Sequence, residues 1–239
     1  TTPADREMYK LSVSPEDAPD QAEYIQLLYE KGNVIGIQYD GLDVLLKELG
    51  VTPKGERDGY TLLSPLGVMY VLNALGGKHG IGRVDIVENR FVGMKSRGVY
   101  ETPGGAILYK AINVLETITL DKESAHFKAQ LAQKYADIVY NGQWFTPLRQ
   151  ALDAFADSLE QTVTGDVKLK LYKGNMINAG VSSPYTLYDE QTASFGEDDD
   201  YNQADSAGFI NLFGLSSKVR AMKMPVSYTH LTLPTNSRV

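Results

Sequence analysis

The chain has 239 residues, 43% of them hydrophobic and 22% charged, a balance that supports an ordinary globular core and excludes wholesale disorder. Lys and Arg number 23 against 30 Asp and Glu, a formal net charge of −7, which disfavours general nucleic-acid binding because that needs a basic face. There is no cysteine, so disulfides, thiolate nucleophiles and cysteine zinc sites are excluded, and a reducing cytoplasm is the expected setting.

No apolar run approaches the roughly 18 residues that span a bilayer, and the first residues, Thr-Thr-Pro-Ala-Asp, lack an export signal. They also lack an initiator Met, so an upstream part is expected to be missing. Residues 1–20, rich in Pro, Asp and Ser, read as a poorly structured lead-in or a segment that packs on something absent. Residues 24–30 and 34–39 flank Lys31-Gly32-Asn33 with aromatic and β-branched residues, the composition of a hairpin. Leu42, Leu45, Leu46 and Leu49 then follow helical spacing.

Ser64-Pro65, Thr102-Pro103 and Thr146-Pro147 each predict a helix start. The hydroxyl caps free amides, and proline, lacking an N–H, costs nothing at the first helical position. The three helices are expected to end at Gly76-Gly77, near Ile118 and near Gln161, with another over residues 121–141 stopped by Gly142. Residues 83–94 read as a strand and its exit, and residues 95–101 as the loop before the next helix. Val167, Leu169 and Leu171 alternate with lysines, then Lys173-Gly174-Asn175 turns into residues 176–182 as a second hairpin. The expected fold is α/β of the α+β type, a mixed β-sheet with packed helices and no regular strand–helix alternation. Residues 225–239, rich in Thr, Ser, Pro and Leu, read as an extraneous tail.

Most candidate motifs admit a plain structural reading. Gly76-Gly77-Lys78-His79-Gly80-Ile81-Gly82-Arg83 offers backbone amides for a phosphate, but its spacing matches neither a P-loop nor a dinucleotide fingerprint, and a helix stop with a tight turn accounts for it. Glu88 either pairs with Arg90 or Arg97 on a solvated edge or, with Tyr100, offers oriented oxygens to a ligand ammonium. The acidic run Glu197-Asp198-Asp199-Asp200, with Asp205 after it, lacks EF-hand spacing and reads as a solvated loop. His79 and His126 form no metal motif, and no serine has nucleophile-elbow context. Trp144 and Phe145 are expected to anchor the start of the third helix in the core.

The run Gly77-Lys78-His79-Gly80-Ile81-Gly82-Arg83-Val84-Asp85-Ile86-Val87-Glu88-Asn89-Arg90-Phe91-Val92-Gly93-Met94-Lys95-Ser96-Arg97-Gly98-Val99-Tyr100-Glu101-Thr102-Pro103 resembles the hallmark stretch of argininosuccinate synthases. The likeness continues through Lys134-Tyr135-Ala136-Asp137-Ile138-Val139-Tyr140-Asn141-Gly142, Lys170-Leu171-Tyr172-Lys173-Gly174-Asn175 and Asp205-Ser206-Ala207-Gly208-Phe209-Ile210. It implies the synthetase and multimerisation domain over residues 1–224 of an ATP-dependent ligase that joins L-citrulline to L-aspartate through a citrullyl-adenylate and releases AMP and pyrophosphate. It further implies a homotetramer in the cytoplasm, with no nucleic-acid or membrane partner. By the same resemblance Glu88 and Tyr100 contact citrulline, while Lys95 and Arg97 are weaker candidates for neutralising phosphate. The family's Ser-Gly-Gly-Leu-Asp-Thr-Ser phosphate loop is absent from the chain. ATP and Mg2+ are accordingly expected to bind mainly through the missing N-terminal half, and the chain alone is expected to be inactive. Rival readings are a non-catalytic oligomerisation module derived from this family and a stand-alone amino-acid-binding protein.

Overall fold

The computed structural model describes residues 2–189 and 204–224. The chain divides into two compact units, residues 1–187 and 188–239. The first is built on a six-stranded sheet. Its opening hairpin pairs β1 (Glu23–Glu30) with β2 (Asn33–Tyr39), Lys31 and Gly32 taking positive φ at the turn. After helix α1 (Leu42–Leu49), the short strands β3 (Gly55–Arg57) and β4 (Tyr60–Leu62) extend one edge. The other edge is the hairpin of β7 (Gly165–Tyr172) and β8 (Asn175–Ser182). Strand order is β3-β4-β2-β1-β7-β8, and every pairing is antiparallel. The central strands alternate strictly: Ile25, Leu27 and Tyr29 of β1 and Val167, Leu169 and Leu171 of β7 are buried, while Tyr24, Gln26, Lys168 and Lys170 face the other side, a period-2 pattern that leaves one face to be covered.

Two helices cover it. Helix α2 (Pro65–Lys78) turns Val68, Val71, Leu72 and Leu75 inward, and α3 (Pro103–Thr119) turns Ile107, Ala111, Val114 and Leu115. Small residues let the two helices approach closely: a Cβ on Gly76 would stand 2.8 Å from the Pro103 side chain, and one on Gly104 2.9 Å from Asn73 Oδ1. Helices α4 (Lys122–Tyr140) and α5 (Pro147–Leu159) form a satellite pair joined by an edge-on Phe127–Phe155 contact. Lys128 of α4 ties this pair to the rest through Glu116 of α3 and Glu160. In the second unit α6 (Ala204–Phe213) and α7 (Leu215–Lys223) follow one another, and Phe209 stacks on Phe213.

The α+β expectation therefore holds, and all three hydroxyl-proline starts are helix starts. Ser64 and Thr146 accept the expected amides, from Gly67 and Arg149. Thr102 does not cap with its side chain; its backbone, at φ −138° and ψ 60°, lacks the extended conformation of the other two, and its N–H bonds the Gly82 carbonyl. Two expectations fail. Trp144 and Phe145 are not core anchors: Phe145 is 90% exposed, and the Trp144 ring lies under the Arg149 guanidinium at 4.7 Å. Residues 95–101 are not a loop but a strand, described below. The acidic run at 197–200 and the tail at 225–239 lie outside the described residues.

Candidate functional site

Between α2 and α3 the chain leaves the sheet to make a separate two-stranded hairpin, β5 (Arg83–Asn89) with β6 (Lys95–Glu101). Its register opposes Glu88 to Ser96, Ile86 to Gly98 and Val84 to Tyr100. Because side chains alternate along a strand, these six share one face, and Asp85, Lys95, Arg97 and Glu101 share the other. The family-implied residues Glu88 and Tyr100 are thus brought together, and the Tyr100 hydroxyl donates to Glu88 Oε1. Tyr100 starts four residue pairs along the ladder from Glu88 and reaches it by laying its ring over Gly98. A Cβ there would stand 2.4 Å from Tyr100 Cε2 and 2.6 Å from its hydroxyl oxygen. Gly98 lacks a positive φ, so the space above it, and not backbone freedom, is what requires glycine.

A cavity of about 470 Å³ opens over this face, lined among others by Glu88, Arg90, Phe91, Ser96, Tyr100 and Tyr140. The hydrogen bond to Glu88 holds the Tyr100 hydroxyl above its ordinary pKa; partial burial and the charges of Glu88 and Tyr140 act in the same direction, against Arg90. Tyr100 is therefore a hydrogen-bond donor at neutral pH. That bond engages one carboxylate oxygen of Glu88 and leaves the other for a ligand cation, a charge-assisted pairing. A larger cavity, about 580 Å³, lies between the β1–β2 turn and helices α2 and α3. Its lining is mostly aliphatic, with Val34, Ile35, Val68, Leu108 and Ile112, and it offers no comparable acid–phenol pair.

The other face of the hairpin corrects two expectations. Arg97 does not face the cavity: its Nε and Nη2 donate to the two oxygens of Asp85 at 2.7 and 2.6 Å. Lys95 is on that same face. The pairing of Glu88 with Arg90 or Arg97 is likewise absent, since neither guanidinium bonds Glu88 among the described residues. The lead-in, read as either poorly structured or packing on something absent, is gripped here. Ala4 N–H donates to Asp85 at 3.1 Å, and Arg97 donates to the Thr2 carbonyl at 2.6 Å. Glu101 accepts the amides of Lys10, Leu11 and Ser12, and the Arg83 guanidinium lies 3.5 Å above the Tyr9 ring.

The glycine-rich run is a helix stop. Gly80 N–H bonds the Gly77 carbonyl and Ile81 N–H the Gly76 carbonyl, so these amides cap α2 and are not aimed at a phosphate. His79 is fully buried, with Nε2 2.7 Å from Glu23 Oε2. Glu23 also accepts from Lys78 at 2.7 Å and from Tyr39 at 2.9 Å. Burial works to raise the Glu23 carboxyl, but these hydrogen bonds outweigh it and hold its pKa below the ordinary value. In the glycine-rich run the amides of His79, Gly80 and Ile81 are occupied, Arg97 is paired, and among the described residues no three His, Asp or Glu side chains gather. Nor is any described helix long and apolar enough to cross a membrane.

The sequence profile of the Arginosuccinate synthase C-terminal domain family matches residues 1–220. The chain belongs to that family. It is 55% identical over 219 residues to the argininosuccinate synthase of Desulforamulus reducens, covering 92% of this chain and 49% of that protein. Against the Clostridium perfringens strain 13 enzyme it is 57% identical over 207 residues, 86% of this chain and 46% of the relative, and against that of Carboxydothermus hydrogenoformans 53% over 212 residues, 89% and 48%. The chain thus spans about half the length of the curated relatives it matches. Sequence reasoning missed Gly98, Ser96 and Tyr140. The strand alternation of residues 83–101 carried a signal for the first two, while nothing local in the sequence placed Tyr140 beside them.

Proposed function

We propose that this chain is the C-terminal portion of an argininosuccinate synthase and that its β5–β6 hairpin carries part of the L-citrulline site. Glu88 accepts hydrogen bonds from the citrulline α-ammonium, and Tyr100 completes that end. The observation that carries the reading is the Glu88–Tyr100 pair in an open cavity, on a chain whose family and relatives are argininosuccinate synthases. In the whole enzyme, ATP would activate the citrulline ureido oxygen by adenylation, releasing pyrophosphate, and the aspartate amine would then displace AMP. Such chemistry needs a substrate held in one orientation more than it needs a protein nucleophile, in keeping with a cavity of hydrogen-bonding groups. ATP and its Mg2+, aspartate and the rest of the citrulline contacts belong, in this reading, to the half that the relatives have and this chain does not span. A cytoplasmic homotetramer is part of the same proposal. Exposed apolar side chains such as Leu66, Tyr109 and Leu148 support a surface that is covered on assembly.

The test is titration of the chain with L-citrulline by ligand-observed saturation-transfer NMR. Binding in the millimolar range is expected, and Glu88→Gln, which removes the negative charge while keeping the shape, should weaken it about tenfold. Affinity unchanged in that variant would sink the assignment. Turnover of citrulline, aspartate and ATP by the rigorously purified chain would refute the view that the other half supplies the nucleotide site.

A further inference from the structure

The hairpin supplies only part of the cavity wall. Tyr140, the last residue of the 19-residue helix α4, lines the same cavity as Glu88 and Tyr100. Tyr140 is 61% exposed, and its hydroxyl makes no hydrogen bond among the described residues. The helix end points the same way. The amides of Asn141, Gly142 and Gln143 return to the carbonyls of Asp137, Val139 and Ile138, and none of them caps the carbonyl of Tyr140. A helix C-terminus carries partial negative charge and favours a cation nearby. An aromatic face does the same through its quadrupole. Arg90 lines the same cavity and its charge works against a cation there.

We propose that Tyr140 is a substrate-contacting residue, its ring closing the cage that Glu88 and Tyr100 begin around the α-ammonium of the amino-acid substrate. The cage selects amino acids whose α-amine is free and charged. This rests on the reading of Glu88 and Tyr100 as citrulline contacts, and the experiment separates the two claims.

Wild-type chain, Tyr140→Ala, Tyr140→Phe and Glu88→Gln are titrated with L-citrulline by saturation-transfer NMR, with circular dichroism to confirm the fold and N-acetyl-L-citrulline as the uncharged comparison. Tyr140→Ala should bind about fivefold more weakly, and Tyr140→Phe, which keeps the ring face, within about twofold of wild type. N-acetyl-L-citrulline should not compete. Wild-type affinity in Tyr140→Ala alongside weakened binding in Glu88→Gln overturns the role of Tyr140 and leaves the Glu88 site standing. Loss in Tyr140→Phe equal to that in Tyr140→Ala overturns the ring contact in favour of the hydroxyl. No binding by wild type, or no change in Glu88→Gln, overturns the site itself.

Discussion

Gly98→Ala is expected to weaken citrulline binding while leaving the hairpin intact or slightly more stable. The added Cβ would lie 2.4 Å from Tyr100 Cε2 and 2.6 Å from Cζ and the hydroxyl oxygen, whereas carbon atoms in contact settle about 3.5–4.0 Å apart. The ring must therefore retreat by roughly 1 Å, more than a hydrogen bond tolerates, and the Tyr100 hydroxyl leaves Glu88. Loss of that one oriented donor corresponds to about five- to tenfold in affinity. The backbone responds in the opposite sense. Gly98 sits in strand conformation without positive φ, where alanine is favoured over glycine by about 0.5–1 kcal/mol, so the melting temperature should stay level or rise by about 1–4 °C. Citrulline titration and thermal unfolding, run on Gly98→Ala in both the wild-type and Tyr100→Ala backgrounds, check this. With the ring gone, the substitution should have no further effect on binding. Wild-type affinity in Gly98→Ala, or an equal loss in both backgrounds, would refute the seat-for-the-ring argument.

The core and the partly buried Glu23 carboxylate give two further expectations. Leu72, fully buried between the sheet and α3, should cost about 2–5 kcal/mol on replacement by alanine, read as a fall in urea midpoint at unchanged slope. Glu23 has a folded-state pKa below its unfolded value. Its contribution is therefore fully present above the unfolded carboxyl range and is lost as pH falls through the lowered folded value. Glu23→Gln should be less stable at pH 7, and its stability should decline less between the ordinary glutamate pKa and that lower value. Parallel acid limbs for the two proteins in urea melts at several pH values would show that the Lys78, His79 and Tyr39 bonds do not hold the carboxyl down.

Local rules carried much of the fold. Aromatic and β-branched composition around a Gly turn placed β1 and β2, period-2 alternation and the next Gly turn placed β7 and β8, and the hydroxyl-proline signal placed three helices, because all of these depend on residues a few positions apart. The reading failed where a long-range contact decides the outcome. Trp144 and Phe145 looked like core anchors by hydrophobicity alone, yet Trp144 is claimed by Arg149 and Phe145 lies in the open. Strands β3 and β4, three residues each, are too short to show a period. In the candidate site, chemistry alone left Glu88 between a surface ion pair and a ligand contact. Arg90 and Arg97 were both open as partners, and strand alternation turned Arg97 to the opposite face, onto Asp85.

That opposite face also explains how residues 2–12, part of the lead-in over 1–20 read as poorly structured or as packing on something absent, are held. An isolated two-stranded hairpin is marginal in water, and β5–β6 shares no ladder with the six-stranded sheet. Its far face is secured by charged groups, Asp85, Arg97, Glu101 and Arg83, acting on the amides, a carbonyl and the Tyr9 ring of the lead-in. Those partners are mostly backbone atoms, which any sequence supplies, so a lead-in rich in Pro, Asp and Ser carries no periodic signal of its place. The Asp85 carboxyl is held below its ordinary pKa first by its bonds from Arg97, which outweigh the opposing effect of burial, with the Arg97 charge and then the Ala4 amide adding to them. With one face fixed by the lead-in, the hairpin presents the hydrogen-bonded pair Glu88 and Tyr100, with Gly98 beneath the ring, in an open arrangement on the other.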